Sequence, residues 1–274
     1  YTTVPLREYD WAHSWQKYYR PLAVGEKLYI VPEWERDTAE IPAGVTRLLM
    51  NPGLTFGTGS HASTQLCLEG VEAHTKPNDL VLDLGCGYGW HCAYAAEHGA
   101  AHVTGVDLSE KMLEVARQKA SFPQVEYLHA AIEDVDFPPE RFDVVFSSLA
   151  IHYLQDFPAL AEKVRTWLKP GGDFVFSVEH PIFTAYGNQD WYYDEQGNIL
   201  HFPVDNYFYE GQRQAVFLGE DVVKYHRTLT TYLDTLLTGG FALRRVVEAK
   251  PPERMLDIPG MKDEYRADDS EIED

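Results

Sequence analysis

Val81-Leu82-Asp83-Leu84-Gly85-Cys86-Gly87-Tyr88-Gly89 decides the fold. An apolar strand runs straight into three glycines, and Trp90–His98 follows with the apolar spacing of a helix. Glycines at such a junction let the backbone approach a ligand closely, and the helix start offers unpaired N–H groups to a polar or anionic group. The next apolar run, Val103-Thr104-Gly105-Val106-Asp107, ends on an acid whose two oxygens can accept both hydroxyls of a ribose. The two segments together specify a nucleoside-bearing cofactor.

Outward from this point the chain keeps one rhythm. Strands are expected at Leu80–Leu84, His102–Asp107, Val125–His129, Phe142–Ser147 and Asp173–Val178, with helices at Trp90–His98, Glu110–Lys119 and Pro158–Leu168 between them. Ser109 is placed to cap the second helix, and Lys169-Pro170-Gly171-Gly172 to stop the third. The alternation predicts an α/β fold, a doubly wound and mostly parallel sheet covered by helices on both faces. Residues 1–75 precede it as a front segment: a helix at Asp10–Arg20, strands at Lys27–Val31 and Arg47–Asn51, and a glycine-rich turn, Asn51 to Ser60, opening a helix that runs to about Ala73. The catalytic domain is expected over 76–262, with an aromatic insertion of irregular strands at 183–217, a helix at Thr228–Leu237 and a strand at Phe241–Glu248. Residues 263–274 carry seven acids against one Arg and read as an acidic tail.

The 274 residues are 45% hydrophobic and 24% charged, enough apolar material for a substantial core. Their net charge of −20 repels phosphate backbones and anionic lipid, which argues against nucleic acid or a membrane as partner. No run approaches the ~18 apolar residues of a membrane span. Cys67, Cys86 and Cys92 lack the spacing of a disulfide framework or a thiolate zinc site, so no metal is expected and the cytoplasm is the expected location.

Spacing narrows the cofactor. A nicotinamide fingerprint needs a third glycine where Trp90 stands, and Asp83 at the strand end would repel a pyrophosphate while suiting a cationic amino group, directly or through water. At these residues the sequence resembles the class I S-adenosylmethionine-dependent methyltransferases, with Asp83 to Gly89 as the first motif and Asp107 as the second. The resemblance spans about 79–250. It includes Ala131-Ile132-Glu133-Asp134, Phe142 to Leu149 and Leu168 to Gly172, and it extends at Ser177 to Thr184 to the small bacterial methyltransferases of the type 11 group. Residues 9–75, through Asp10-Trp11, Tyr29 to Trp34 and Asn51 to Thr64, resemble instead the ribosomal-protein lysine methyltransferases of the PrmA family. That family carries an acceptor-side Asn where Ser148 stands here, so the chain reads as a front from one methyltransferase group joined to the catalytic domain of another. Sheets of this class number seven strands and finish in an antiparallel hairpin; here the last strand either comes from Arg254–Ile258 or is missing.

The resemblance implies a cofactor site of Thr64, Asp83, Gly85, Cys86, Gly87, Gly89, Asp107, Leu108, Ile132, Glu133, Ser148 and Leu149, holding S-adenosylmethionine and its product S-adenosylhomocysteine. Thr64 also fits a plain helix cap. Transfer to an amine or hydroxyl requires loss of a proton, and the candidate bases at the sheet's carboxyl edge are His152, Glu179 and His180. The acidity and the aromatic insertion point to a neutral or cationic small molecule as acceptor. The alternatives are a lysine or amino terminus of a protein, and a cofactor-binding scaffold without turnover.

Overall fold

The computed structural model describes residues 19–50, 62–186, 189–217 and 220–248. The expected helix at 10–20, all but its last two residues, the turn at 51–60, the segment 254–258 and the tail 263–274 lie outside the described residues.

The front segment supplies a small sheet. Strand β1 (Leu22–Val24) turns at Gly25, whose φ is +60°, into antiparallel β2 (Leu28–Pro32), and β2 pairs in parallel with β3 (Thr46–Met50). Helix α1 (Ala62–His74) follows. Glu72 of α1 accepts from the Glu26 N–H at 3.2 Å and from the Tyr94 hydroxyl at 3.2 Å, tying the front turn to the next helix of the fold.

The central layer then alternates as β4 (Leu80–Leu84), α2 (Trp90–Glu97), β5 (His102–Asp107), α3 (Glu110–Lys119), β6 (Val125–His129), β7 (Phe142–Ser148), α4 (Phe157–Trp167) and β8 (Leu168–Ser177). Its strands lie in the order β6-β5-β4-β7-β8, and every neighbouring pair is parallel. Successive side chains of a strand point to opposite faces, so the sheet divides the interior into two cores. One gathers Val81, Val103 and Val144 with Leu68, Tyr94 and Leu113 of α1, α2 and α3, and with Leu28, Ile30 and Met50 of the front sheet. The other gathers Leu82, Leu84, Val106 and Val145 with Phe157, Leu160 and Trp167 of α4. Front segment and catalytic sheet therefore share one continuous core.

Beyond the sheet come α5 (Pro181–Ala185), the short pair β9 (Tyr192–Tyr193) and β10 (Ile199–His201), the antiparallel hairpin β11 (Gly211–Phe217) and β12 (Glu220–His226), and α6 (Leu229–Thr238). Thr228 caps α6 by accepting from the Thr231 N–H. The insertion thus extends past 217, because β12 completes the hairpin that β11 opens.

Two expectations differ from the structure. Helix α4 ends at Trp167, ahead of Lys169-Pro170-Gly171-Gly172 as expected, but the strand expected from Asp173 begins at Leu168: Phe142 pairs with Leu168 and Val144 with Asp173, so residues 169–172 form a bulge inside β8, with Lys169 Nζ on Asp143 Oδ2 at 2.7 Å. The strand expected at 241–248 is irregular chain. A strand needs a ladder partner, and this stretch is held by side chains instead, Phe241 against Phe174 and Arg244 on Asp173 at 3.0 Å. Among the described residues the central sheet ends at β8, and no helix is long and apolar enough to cross a membrane.

Candidate active site

Strands β4 and β7 are spatial neighbours that lead to connections on opposite faces of the sheet, and the crevice between their carboxyl ends is where a doubly wound fold binds ligands. Ser147 Oγ closes the floor of this crevice by donating to the Leu84 carbonyl at 2.8 Å. Gly85 and Gly87 adopt φ of +77° and +52°, which side chains rarely tolerate. A Cβ on Gly85 would strike Ala150, whereas one on Gly87 would meet only Met112 Sδ at 3.7 Å, so the second glycine leaves room in the crevice. Gly89, with φ +78°, stands at the N-cap of α2.

Asp107, ending β5, organises this turn. Its Oδ2 accepts from the Gly87 N–H and its Oδ1 from the Ser109 N–H, both at 2.8 Å. Each carboxylate oxygen keeps a further lone pair for a hydroxyl. Thr64 of α1, Cys86, Leu108, Ile132, Glu133, Ser148 and Leu149 line the same cleft as Gly85, Gly87 and Asp107. Ile132 is buried and Leu108 lies out in solvent, and both add apolar surface to the cleft that Asp107 lines.

Asp83 behaves differently from its predicted role as a cleft residue. It is enclosed behind the glycine turn, with Oδ2 accepting from the Cys92 thiol at 3.4 Å and lying 3.7 Å from His91 Nδ1. Burial pushes its pKa above the ordinary carboxylate value, against the opposing pull of His91. Its Oδ1 has no donor among the described residues, an unmet demand one layer beneath the cleft. His91, the Asp83 neighbour at 3.7 Å, does line the cleft.

Three residues meet at the ends of β7 and β8. Cys67 Sγ of α1 lies 3.1 Å from Ser148 Oγ and 3.2 Å from Ser177 Oγ, and Ser177 Oγ accepts from the Leu149 N–H at 3.1 Å. Burial raises the pKa of Cys67. Leu149 takes φ +52°, a left-handed conformation that costs a non-glycine residue roughly 1–2 kcal/mol, held here by its second bond to the Ser177 carbonyl.

The three candidate bases are brought to one edge, each already engaged. His152 is 1% exposed, and burial drives its pKa down to about 4, overriding the nearby Glu179. Its Nδ1 accepts from the Glu179 N–H at 3.4 Å, which assigns the proton to Nε2, 3.9 Å from Glu179 Oε1. No lone pair is left. Burial would raise the pKa of Glu179, yet His152, the Lys224 ammonium at 2.6 Å and the Gln189 amide at 2.9 Å hold it below the ordinary value. His180 caps α5, accepting at Nδ1 from the Ile182 N–H, and meets Glu248 through Nε2 at 2.8 Å. Lys224, Gln189, Cys67 and Ser177 are functional-site neighbours that sequence reasoning missed. Lys224 lies 45 positions from Glu179, in a strand with no evident sequence signal.

A parallel sheet opening on a glycine turn, with an acid ending the second strand and a cleft roomy at Gly87, defines an S-adenosylmethionine-dependent methyltransferase of the class I, Rossmann-like kind. Residues 1–178 match the family described as ribosomal protein L11 methyltransferase (PrmA), and the chain belongs to that family. A ribosomal protein L11 methyltransferase of Burkholderia thailandensis is 36% identical over 172 residues, 63% of this chain and 55% of the relative, and one of Ralstonia pickettii is 35% identical over 177 residues. The chain spans little more than half the length of these curated relatives. Among solved structures, a candidate S-adenosylmethionine-dependent methyltransferase of Listeria monocytogenes is 56% identical over 69% of this chain and 86% of its own, with a TM-score of 0.67. An S-adenosylmethionine-dependent methyltransferase of Mesorhizobium loti is 39% identical, covering 74% and 92% respectively, with a TM-score of 0.66.

These findings correct the expected acceptor. The family match takes in the front segment and the sheet together, and the curated relatives are named for a protein substrate, which overturns the small-molecule reading. Acidity and aromatic surface carried that reading, and both serve a lysine-bearing protein equally well.

Proposed function

We propose that this protein transfers a methyl group from S-adenosylmethionine to an amine of a ribosomal protein, a lysine side chain or the amino terminus, in the cytoplasm. The observation that carries the proposal is the family match over 1–178, with curated relatives that are ribosomal protein L11 methyltransferases.

S-adenosylmethionine brings an already activated methyl group, so the chain's task is to bind and align. In this reading Asp107 accepts the ribose hydroxyls and the backbone of Gly85, Cys86 and Gly87 lies against the amino-acid end, while Asp83 stays behind the turn against His91. Leu108 and Ile132 flank the adenine, with Glu133 at its rim, and Thr64 closes the cleft from α1. Ser148 and Leu149 stand on the acceptor side. Glu179, kept ionised and in place by Lys224, supplies negative charge that attracts a cationic amine; the amine's proton leaves to solvent, since His152 and His180 have both nitrogens committed and both Glu179 oxygens are engaged. The three free thiols accord with a reducing compartment.

Incubation with S-adenosylmethionine and purified ribosomal protein L11 tests the proposal through release of S-adenosylhomocysteine. Release that depends on the added protein is expected. Binding of S-adenosylhomocysteine without any release over background would leave a scaffold and overturn the assignment.

A further inference from the structure

Phe183, Trp191 and Phe202 form an aromatic corner on the wall of the same cleft that holds Gly85, Asp107 and Glu179. The Trp191 and Phe202 centroids lie 5.4 Å apart with planes at 80°, and Phe202 lies 4.6 Å from Phe183 at 31°. Two rings near a right angle, with a third tilted 31° from one of them, present π faces in two directions. A satellite core would bury such a cluster. Here Phe183 keeps 45% of its surface exposed, and Trp191 and Phe202 are only half-buried.

The electrostatic setting selects the ligand. Residues 181–226 carry seven acids and two cations. Both cations turn inward: Arg213 donates to the carbonyls of Ala185, Asn206 and Tyr209, and Lys224 to Glu179 and Gln189. Asp190, exposed beside Trp191, accepts from the Trp191 N–H and the Tyr193 hydroxyl. Among the described residues no cation stands over these three rings, and aromatic faces in a negative field attract an alkylammonium group, whose charge meets the ring quadrupole while its methyl groups make apolar contact.

We propose that Phe183, Trp191 and Phe202 bind the alkylammonium head of an acceptor lysine, before or after methylation. The proposal rests on the protein-amine reading above and gives that acceptor a contact on this chain.

The test is calorimetric titration of the intact protein with Nα-acetyl-Nε-trimethyl-lysine amide, whose side chain bears its only charge. Saturable binding is expected, weakened about tenfold in Trp191→Ala and largely retained in Trp191→Phe. The neutral analogue with carbon in place of the side-chain nitrogen is expected to bind about tenfold more weakly than the cation. Phe183→Leu is a second variant, expected to weaken binding severalfold, and S-adenosylhomocysteine affinity controls for folding in each. No binding to the wild type, equal affinity for the neutral analogue, or full affinity in a folded Trp191→Ala would overturn the site. Methyl transfer to protein is scored separately: transfer without ammonium binding sinks the site alone, and ammonium binding without transfer sinks the functional reading alone.

Discussion

Replacing Asp107 with Ala removes the acceptor of two backbone N–H groups, Gly87 and Ser109, both at 2.8 Å, and with them the support of the glycine turn. A hydrogen bond to a charged group contributes about 1.5–3 kcal/mol. Gly87 and Ser109 line the open cleft, so in the free protein their N–H groups can turn to water and the stability loss is about 1 kcal/mol. With cofactor bound, the turn must be rebuilt without its anchor and the ribose loses its acceptor, so the larger loss falls on binding. We expect S-adenosylhomocysteine affinity to drop by about 2–3 kcal/mol, roughly 30- to 150-fold in Kd, by isothermal titration calorimetry. Asp107→Asn keeps one acceptor oxygen and should fall between the two. An Asp107→Ala protein that binds within about threefold of wild type would refute the placement of the ribose and the anchoring role of this carboxylate.

Other expectations rest on separate parts of the structure. A Cβ on Gly105 would lie 2.9 Å from Cys86 Sγ, Cys92 Sγ and Tyr127 Cδ1, so Gly105→Ala should lose about 1–3 kcal/mol by overpacking; a urea midpoint equal to wild type would contradict the packing. His152, about 4 in the fold against 6.5 unfolded, adds stability that is fully present above pH 6.5 and lost as pH falls toward 4, up to about 3 kcal/mol. The excess stability of wild type over His152→Gln should therefore shrink by about 2 kcal/mol between pH 7.5 and 5, and a pH-independent difference would show that the ring is not held neutral by burial. Lys224→Met strands the Glu179 carboxylate, which is 24% exposed; a loss of about 2–3 kcal/mol, below the full range for a buried pair, is expected by denaturation, and no loss would deny that this pair pins the hairpin.

The parallel sheet was legible because its strands are short, apolar and bounded by glycine or a cap. The bounds of β4, β5, β6 and α3 agree with the sequence pattern to the residue, and Ser109 caps α3 by accepting from the Met112 N–H as its position suggests. Long-range pairing was not legible. The Cys67, Ser148 and Ser177 contacts join α1, β7 and β8, 110 positions apart at the extremes, and nothing local in the sequence marks them. Strand β12 escaped notice because its inward Lys224 breaks the apolar alternation that marks a strand, and its burial is matched by distant partners, Glu179 and Gln189. Asp83 was correctly an acid at the end of the first strand, yet its pleat position sends it behind the turn, which a motif does not encode. The acceptor was misjudged because charge and aromatic content describe a surface that suits a cation, whether free or on a protein.

The central claim is methylation of a protein amine. Its most direct measurement uses S-adenosylmethionine with an isotopically labelled methyl group and ribosomal protein L11, followed by acid hydrolysis and amino-acid analysis. Label recovered in methylated lysine or in the N-methylated terminal residue is the predicted result. Label absent from the protein, under conditions where calorimetry shows the cofactor bound, would contradict the account.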